Sequence, residues 1–273
     1  KENGKMLDFI VRKKGRKKKL KKELLNAIKK DKFVIYLQPI YSVKEKKIVS
    51  AEVLSRMIDS KGNIIAPMDY IPLAEENGLI HEIEHIVFEK ACKFIQNYNL
   101  EQLGLEYLEI NLSVCKGENK QLLEEYDDLM KRYDISPNQL NLEITETATI
   151  TQRNILLKNM LEMSKYGINF ALDDYGTGEC NLNYIIEMPV SIVKFDKSMI
   201  DNYFKNNKAK ILIEHSIDMI HNINLKTVAE GIETKEQFNK IIQTNVDFVQ
   251  GYYFSKPLCE QEFLTYIKSN KVS

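Results

Sequence analysis

Eight short apolar runs in this 273-residue chain each carry a charged or amide side chain at or near the end. Gln38 ends the first run, and Glu52 lies late in the second. Asn111 closes the third (Leu108-Glu109-Ile110-Asn111). Glu143 sits in Leu140-Asn141-Leu142-Glu143-Ile144, with Glu146 three residues on. Asp173 and Asp174 end the fifth, Lys194 and Asp196 the sixth, Glu230 the seventh and Gln250 the eighth. Burying such groups costs free energy unless they are paired or coordinate a cation. One instance carries little weight; a series at matching positions points to a shared site.

The residue types say what that site would do. Two carboxylates roughly 5 Å apart repel by about 3 kcal/mol at an effective dielectric near 20. Glu52, Glu143, Asp173, Asp174 and Glu230 together could not all stay ionised without cations. Oxygen donors without Cys or His favour Mg²⁺ or Mn²⁺ over Zn²⁺. More carboxylates than one Mg²⁺ uses argue for two ions clamping an in-line displacement at phosphorus, the chemistry of a phosphodiesterase. Helix capping or pairing with lysines would account for one or two of these acids, not for the set. After Asp174 runs Tyr175-Gly176-Thr177-Gly178, whose glycines permit tight turns and close backbone approach. Alone, that stretch is as compatible with an ordinary loop.

The elements that must position these residues follow from periodicity. Strands are expected at Phe33–Gln38, Ile48–Leu54, Tyr107–Leu112, Leu140–Ile144, Asn169–Leu172, Ile192–Phe195, Thr227–Ala229 and Phe248–Gln250. Between most of them lie segments with helical apolar spacing: Ile80–Ile95, Leu122–Tyr133, Ile155–Tyr166, Ala209–Ile220 and Lys235–Gln243. Such alternation indicates a mostly parallel sheet. Only about seven residues (Tyr41–Lys47) separate the first two strands, too few for a parallel crossover, so these two should form an antiparallel hairpin. The expected fold is α/β, a modified TIM (β/α)8 barrel with the first strand antiparallel to the others. In such a barrel the strand C-terminal ends converge on one mouth, which would gather the acids.

Composition narrows the class. The chain is 44% hydrophobic and 29% charged, enough apolar content for a sizeable core. No run of about 18 apolar residues is present, so no membrane span is expected. Four scattered cysteines (Cys92, Cys115, Cys180, Cys259) suggest neither a disulfide framework nor a thiolate metal site, and make a reducing cytoplasm the default. The first residue is Lys1, which suggests a piece of a longer chain. The zero net charge hides an asymmetry: residues 1–30 hold 13 Lys/Arg against three acids. They read as a basic linker or N-terminal helix, with one barrel domain over 31–273.

At these residues the chain resembles the EAL-domain cyclic-di-GMP phosphodiesterases, over roughly residues 20–265. The signature motif stands here as Glu52-Val53-Leu54 with Arg56 following. Further blocks are Gln38-Pro39, Asn111-Leu112-Ser113, Glu143-Ile144-Thr145-Glu146 and Asp173-Asp174-Tyr175-Gly176-Thr177-Gly178. Lys194-Phe195-Asp196, Ala229-Glu230-Gly231-Ile232-Glu233-Thr234 and Gln250-Gly251-Tyr252 complete the set. The resemblance implies that Glu52, Asn111, Glu143 and Asp173 ligate a first metal, and that Asp173, Asp174 and Glu230 serve a second. It places Lys194 by the attacking water, with Gln250 and Asp196 in support. Gln38, Leu54, Arg56 and Gln250 would hold the dinucleotide, and Glu146 and Glu233 would support the loops, those near Glu146 also lying by a homodimer contact. The implied reaction opens cyclic-di-GMP to linear pGpG with Mg²⁺ or Mn²⁺. Val53 replaces the family's Ala, Tyr175 its Phe and Cys180 a frequent Ser; none of these removes a ligand. Lys1-Glu2-Asn3-Gly4-Lys5 looks like the end of a GGDEF domain, which implies an upstream GGDEF or sensor domain, and the whole could be the cytoplasmic part of a longer, membrane-attached protein.

Three rival readings remain. His81-Glu82-Ile83-Glu84-His85 fits the H-E-x-x-H zinc-protease pattern, yet both histidines fall on the solvent flank of the helix's apolar stripe, and only Glu106 has a spacing that would serve as a third ligand. A degenerate relative would bind cyclic-di-GMP without cutting it; the intact acids and Lys194 argue against that. The basic N-terminal run could touch nucleic acid or anionic lipid, but a solvated linker explains it as well, and no duplex nucleic acid is expected as partner.

Overall fold

The apolar runs fold as strands, and eight of them close on one another. They are β1 (Phe33–Ser42), β2 (Lys47–Ile58), β3 (Tyr107–Asn111), β4 (Leu140–Thr145), β5 (Asn169–Tyr175), β6 (Ile192–Phe195), β7 (Lys226–Ala229) and β8 (Phe248–Gln250). Around the barrel the order is β1-β8-β7-β6-β5-β4-β3-β2, and β2 pairs back onto β1. Neighbours from β2 to β8 run parallel, whereas β1 runs antiparallel to β8. This is the α/β barrel with a reversed first strand that the short β1–β2 connection predicts. The structure, a computed structural model, describes residues 2–112, 120–145, 153–177 and 182–270. Glu146, Ser113, Cys115, Gly178 and Cys180 therefore lie outside the described residues.

The chain forms two compact units, Lys1–Ile35 with Ser55–Lys90, and Tyr36–Leu54 with Ala91–Ser273. In the first, the helices Glu2–Lys29 and Pro67–Glu76 accompany a two-residue strand, Ile64–Ile65, paired antiparallel to the end of β2. Tyr70 is fully buried there, its ring edge-on to Phe33 at 5.7 Å and its hydroxyl 2.6 Å from Ser55 Oγ. The Glu23 carboxylate accepts from the Ser60 amide and hydroxyl at 3.0 and 2.8 Å. Among the described residues no helix is long and apolar enough to cross a membrane.

The second unit holds the barrel, and strand periodicity layers its interior. Ile40, Val49, Ala171, Ile192, Val228 and Phe248 form one buried apolar cluster. Side chains two residues apart share a face of a strand. Two positions on from Ala171, Ile192, Val228 and Phe248 come Asp173, Lys194, Glu230 and Gln250; two positions back from Ile40, on the reversed strand, comes Gln38. An apolar floor thus underlies a polar layer at the strand ends. Burying a Val, Ile or Phe side chain contributes roughly 1.5–3 kcal/mol, so this floor fixes the register on which the polar layer depends.

Helices fill most of the connections: Ile80–Tyr98, Lys120–Tyr133, Arg153–Lys165, Asn207–Asn222 and Lys235–Ile241 stand where the periodicity predicts them. Leu182–Glu187, Lys197–Lys205 and Glu260–Asn270 are further helices not marked in the sequence reading. In Asn207–Asn222 the buried side is Ile213, Ile217 and Ile220, an i, i+4, i+7 stripe. At that helix's end His221 Nε2 lies 2.9 Å from Asp247 Oδ2, which also accepts from the Thr227 amide at 2.7 Å, so the pair ties the helix to the starts of β7 and β8. Gly251 follows β8 where no side chain fits, since a Cβ would stand 2.1 Å from the Ile232 carbonyl oxygen. That closeness lets Ile232 N donate to Gln250 O at 3.2 Å. Among the described residues Cys92 and Cys259 form no disulfide.

Candidate active site

Lys194 is the hub of the polar layer. β6 carries it into the barrel with 1% of its side chain exposed, and its Nζ lies 2.9 Å from Glu230, 3.4 Å from Glu109, 3.9 Å from Asp173 and 4.0 Å from Glu52. Glu143 is closer still and accepts a hydrogen bond from it. Five carboxylates from five different strands or strand ends therefore meet one ammonium. The register explains the meeting: Glu52 pairs across to Glu109, Asn111 to Glu143 and Thr145 to Asp173, so each parallel step hands the cluster to the next strand.

Amides orient the rim. Glu52 Oε1 accepts from Asn111 Nδ2 at 2.9 Å, and Glu52 Oε2 accepts from Gln250 Nε2 at 2.7 Å. Gln250 Nε2 also approaches Gln38 Oε1 at 3.4 Å, and Gln38 Nε2 donates to the Ser255 carbonyl at 3.3 Å. β5 ends in a bulge: its register shifts between Leu172 and Tyr175, and Asp174 adopts φ 56°. A bulge re-aims side chains at a strand end, here at the paired aspartates. The turn continues with Thr177, which donates to the Asp174 carbonyl through its amide (3.2 Å) and hydroxyl (2.8 Å). Gly176 holds φ 89°, and a Cβ there would overlap Met199 Sδ at 1.9 Å.

The remaining residues singled out by sequence fall elsewhere. Asp196 caps the helix Lys197–Lys205, accepting from the Ser198 amide at 2.7 Å. Glu233 pairs with Lys197 at the half-exposed surface. Leu54 is half-buried on β2. Arg56 belongs to the first unit, where its guanidinium donates to the Ser55 carbonyl at 2.8 Å. Glu146 is outside the described residues. Conversely, Glu109 and Asn141 belong to the cluster although the sequence reading gave them no role; both are buried, and Asn141 Nδ2 donates to Glu109 Oε1 at 3.1 Å. The signal available was a Glu and an Asn at alternate positions from Asn111 and Glu143.

Residues 21–257 match the family model described as the EAL domain. The chain belongs to the EAL domain family. The signature Glu52-Val53-Leu54 lies on β2 of this EAL domain. The signaling protein YkoW of Bacillus subtilis is 32% identical over 251 residues, 91% of this chain and 31% of its own length. The probable cyclic di-GMP phosphodiesterase PdeB of Escherichia coli is 30% identical over 250 residues, 90% of this chain and 47% of its own. The chain spans less than half the length of these curated relatives. Among solved structures, the PaMucR phosphodiesterase in complex with c-di-GMP aligns at TM-score 0.83 with 25% identity, over 90% of this chain and 99% of that one. An EAL domain protein from Listeria monocytogenes aligns at 0.79 with 28% identity, over 93% and 98%.

The electrostatics of this EAL domain ask for added positive charge. Burial pushes Glu143 well above the usual carboxylate range; Lys194 opposes the shift, and the charges of Glu52 and Glu109 add to it. Burial likewise raises Asp173 to about 6 against Lys194, with Glu52 and Asp174 adding, and raises Glu230 to about 8. Desolvation pulls Lys194 down, but Glu143, Glu230, Asp173 and Glu52 together hold it well above its ordinary value. Glu143 Oε2, Asp173 Oδ1 and Gln250 Oε1 are buried without a hydrogen-bond partner. Among the described residues no three His, Cys, Asp or Glu side chains stand ready around a vacant metal position, at the acid cluster or at His81 and His85; at the acid cluster the ammonium of Lys194 takes the centre. Surplus negative charge and unsatisfied oxygens nonetheless fit hard, oxygen-liganded divalent cations.

A stability prediction arises from these shifts. Carboxyls whose folded pKa lies above the unfolded value bind extra protons when folded, so their contribution to stability is present at low pH and fades as pH rises. For Asp173 and Glu230 the loss runs from about pH 4 to about pH 8. With divalent cations chelated, the urea midpoint should therefore be lower at about pH 8 than at about pH 5.5, and added Mg²⁺ should raise it more at the higher pH. Equal midpoints in chelator at both pH values would contradict the raised carboxyls.

Proposed function

We propose that this EAL domain hydrolyses cyclic-di-GMP to linear pGpG by in-line attack at one phosphodiester, with two Mg²⁺ or Mn²⁺ ions bound. The observation that carries the reading is the convergence of Glu52, Glu143, Asp173 and Glu230 on Lys194, with Asn111 bonded to Glu52. Glu52, Asn111, Glu143 and Asp173 would hold one ion, and Asp173, Asp174 and Glu230 the other. Bound cations supply positive charge at the scissile phosphate and make water more acidic. Lys194 adds a preorganised charge where negative charge builds up on the phosphoryl oxygens. Gln38 and Gln250 line the same rim, suited to dinucleotide contacts, with Leu54 and Arg56 as further binding residues and Arg56 directed to phosphate. Asp196 supports the segment after Lys194 by capping its helix; Glu233, and Glu146 beyond the described residues, are assigned loop support. Water adds across one P–O bond, leaving a 5′-phosphate and a free 3′-hydroxyl.

The proposal extends to a cytoplasmic homodimer within a longer protein bearing an upstream GGDEF or sensor domain, the setting the family resemblance implies. Supporting the hydrolase reading are the family match and relatives named as cyclic di-GMP phosphodiesterases. Chromatography of cyclic-di-GMP incubated with the protein tests it: pGpG is expected with Mg²⁺ or Mn²⁺. Ca²⁺, larger and less demanding in geometry, should support binding with little turnover. Nucleotide that binds but stays intact with every metal would make the domain a receptor instead.

A further inference from the structure

Three strands interrupt the apolar floor of the barrel, β2 only with the small hydroxyl of Ser50, two residues before Glu52, and β3 and β4 with larger polar groups. On β5 to β8 and on β1 the position beneath the polar layer is Ala171, Ile192, Val228, Phe248 and Ile40. On β3 and β4 the corresponding positions, two residues before Asn111 and Glu143, are Glu109 and Asn141, 0% and 1% exposed. A side chain two residues back lies about 6.6 Å deeper along its strand. A carboxylate at that depth costs several kcal/mol in desolvation, and an apolar side chain of similar size would usually fill the space with less penalty. Glu109 is therefore poorly explained as packing.

Its surroundings give it a task. Asn141 Nδ2 fixes one oxygen at 3.1 Å, and the other, Oε2, has no hydrogen-bond donor but lies 3.4 Å from Lys194 Nζ. The side chains of Glu52, Asp173 and Glu230 retain 12%, 14% and 19% exposure towards solvent; Glu109, like Glu143, retains none, but Glu109 sits two residues deeper on its strand than Asn111 and is tied to Asn141. We infer that Glu109 is a positioning residue that holds the Lys194 ammonium from beneath, freeing Glu52, Glu143, Asp173 and Glu230 to take cations. This rests on the cation-dependent reading given above. Without Glu109, the ammonium would compete with cations for the same four carboxylates.

The test strips the protein with chelator and titrates Mn²⁺ alone by calorimetry, then measures cyclic-di-GMP turnover with Mn²⁺. Glu109→Gln keeps size and the bond to Asn141 but removes the charge. It should lower Mn²⁺ affinity roughly tenfold and kcat similarly, with KM unchanged, while Glu109→Asp recovers most of the loss. A structural filler would leave Mn²⁺ affinity unmoved, so affinity equal to wild type in folded Glu109→Gln overturns the inference. Should that variant not fold, Asn141→Ala decides. Releasing Glu109 should then weaken Mn²⁺ binding roughly fivefold, the worth of one hydrogen bond, and unchanged binding overturns the inference. A wild type that turns over no nucleotide while the Mn²⁺ differences persist sinks the hydrolase reading and leaves the role of Glu109 standing. A wild type that takes up no Mn²⁺ sinks both.

Discussion

Replacing Glu52 by alanine should lower kcat/KM for cyclic-di-GMP more than roughly 100-fold, beyond the 10–100-fold cost usual for a group standing behind a metal ligand. Two strands lose their common acceptor at once: Asn111 of β3 and Gln250 of β8 both donate to this one carboxylate of β2. The loss should not be one of folding. Glu52 keeps 12% of its side-chain exposure at the mouth, and its charge is among those that raise Glu143, Asp173 and Glu230. Removing it relieves repulsion, so in chelator Glu52→Ala should melt at or above the wild-type temperature while hydrolysis with Mg²⁺ is lost. Folded protein retaining more than about a tenth of wild-type kcat/KM would show that Glu52 is not a ligand.

That separation of fold from site mirrors how the two were written in the chain. The barrel was legible because strand and helix periods alternate and because the roughly seven residues Tyr41–Lys47 cannot cross over a parallel pair. Boundaries were less so. The first strand runs to Ser42 rather than ending at Gln38: Pro39 sits where β1 changes partners, from Leu258 at Leu37 to Gln250 at Ile40, so its missing N–H breaks no rung. β5 likewise continues through two aspartates, because a bulge at positive φ carries charge that a regular strand would not. The gathering of Glu52, Glu143, Asp173 and Glu230 was foreseeable from their matching positions. Glu109 was legible only through Asn111: a barrel strand is buried on both faces, so alternation tells the inner face from the outer only once one inner residue is fixed, and Glu109 lies two residues before it. Asp196 carries a second signal: Asp196-Lys197-Ser198 opens a helix, and the aspartate caps it just after Lys194. That Lys194 would bind five acids depends on contacts up to 142 residues away, which no local pattern encodes.

Because of that convergence, Lys194→Met should disturb stability and activity together, in ways pH and metal can separate. In chelator at about pH 8, removing one partner from a buried ion cluster should destabilise the fold by roughly 3–5 kcal/mol, read from urea denaturation. Lys194 is the influence that lowers Glu143, Asp173 and Glu230; without it their already raised pKa values climb further. The variant's deficit should therefore be largest at high pH and shrink as pH falls to about 5.5, where the carboxyls take up protons and no longer need a counter-charge. Mg²⁺ should narrow it as well, since a cation that binds only the folded state stabilises it by mass action. Turnover should nonetheless stay roughly 100-fold or more below wild type in Mg²⁺, because cations can balance the ligands' charge but cannot replace a fixed ammonium beside the reacting phosphate. If Lys194→Met were as stable as wild type in chelator at pH 8, the acids would already be neutral there. The ammonium would then have no counter-charge role, and the case for cations at this mouth would weaken with it.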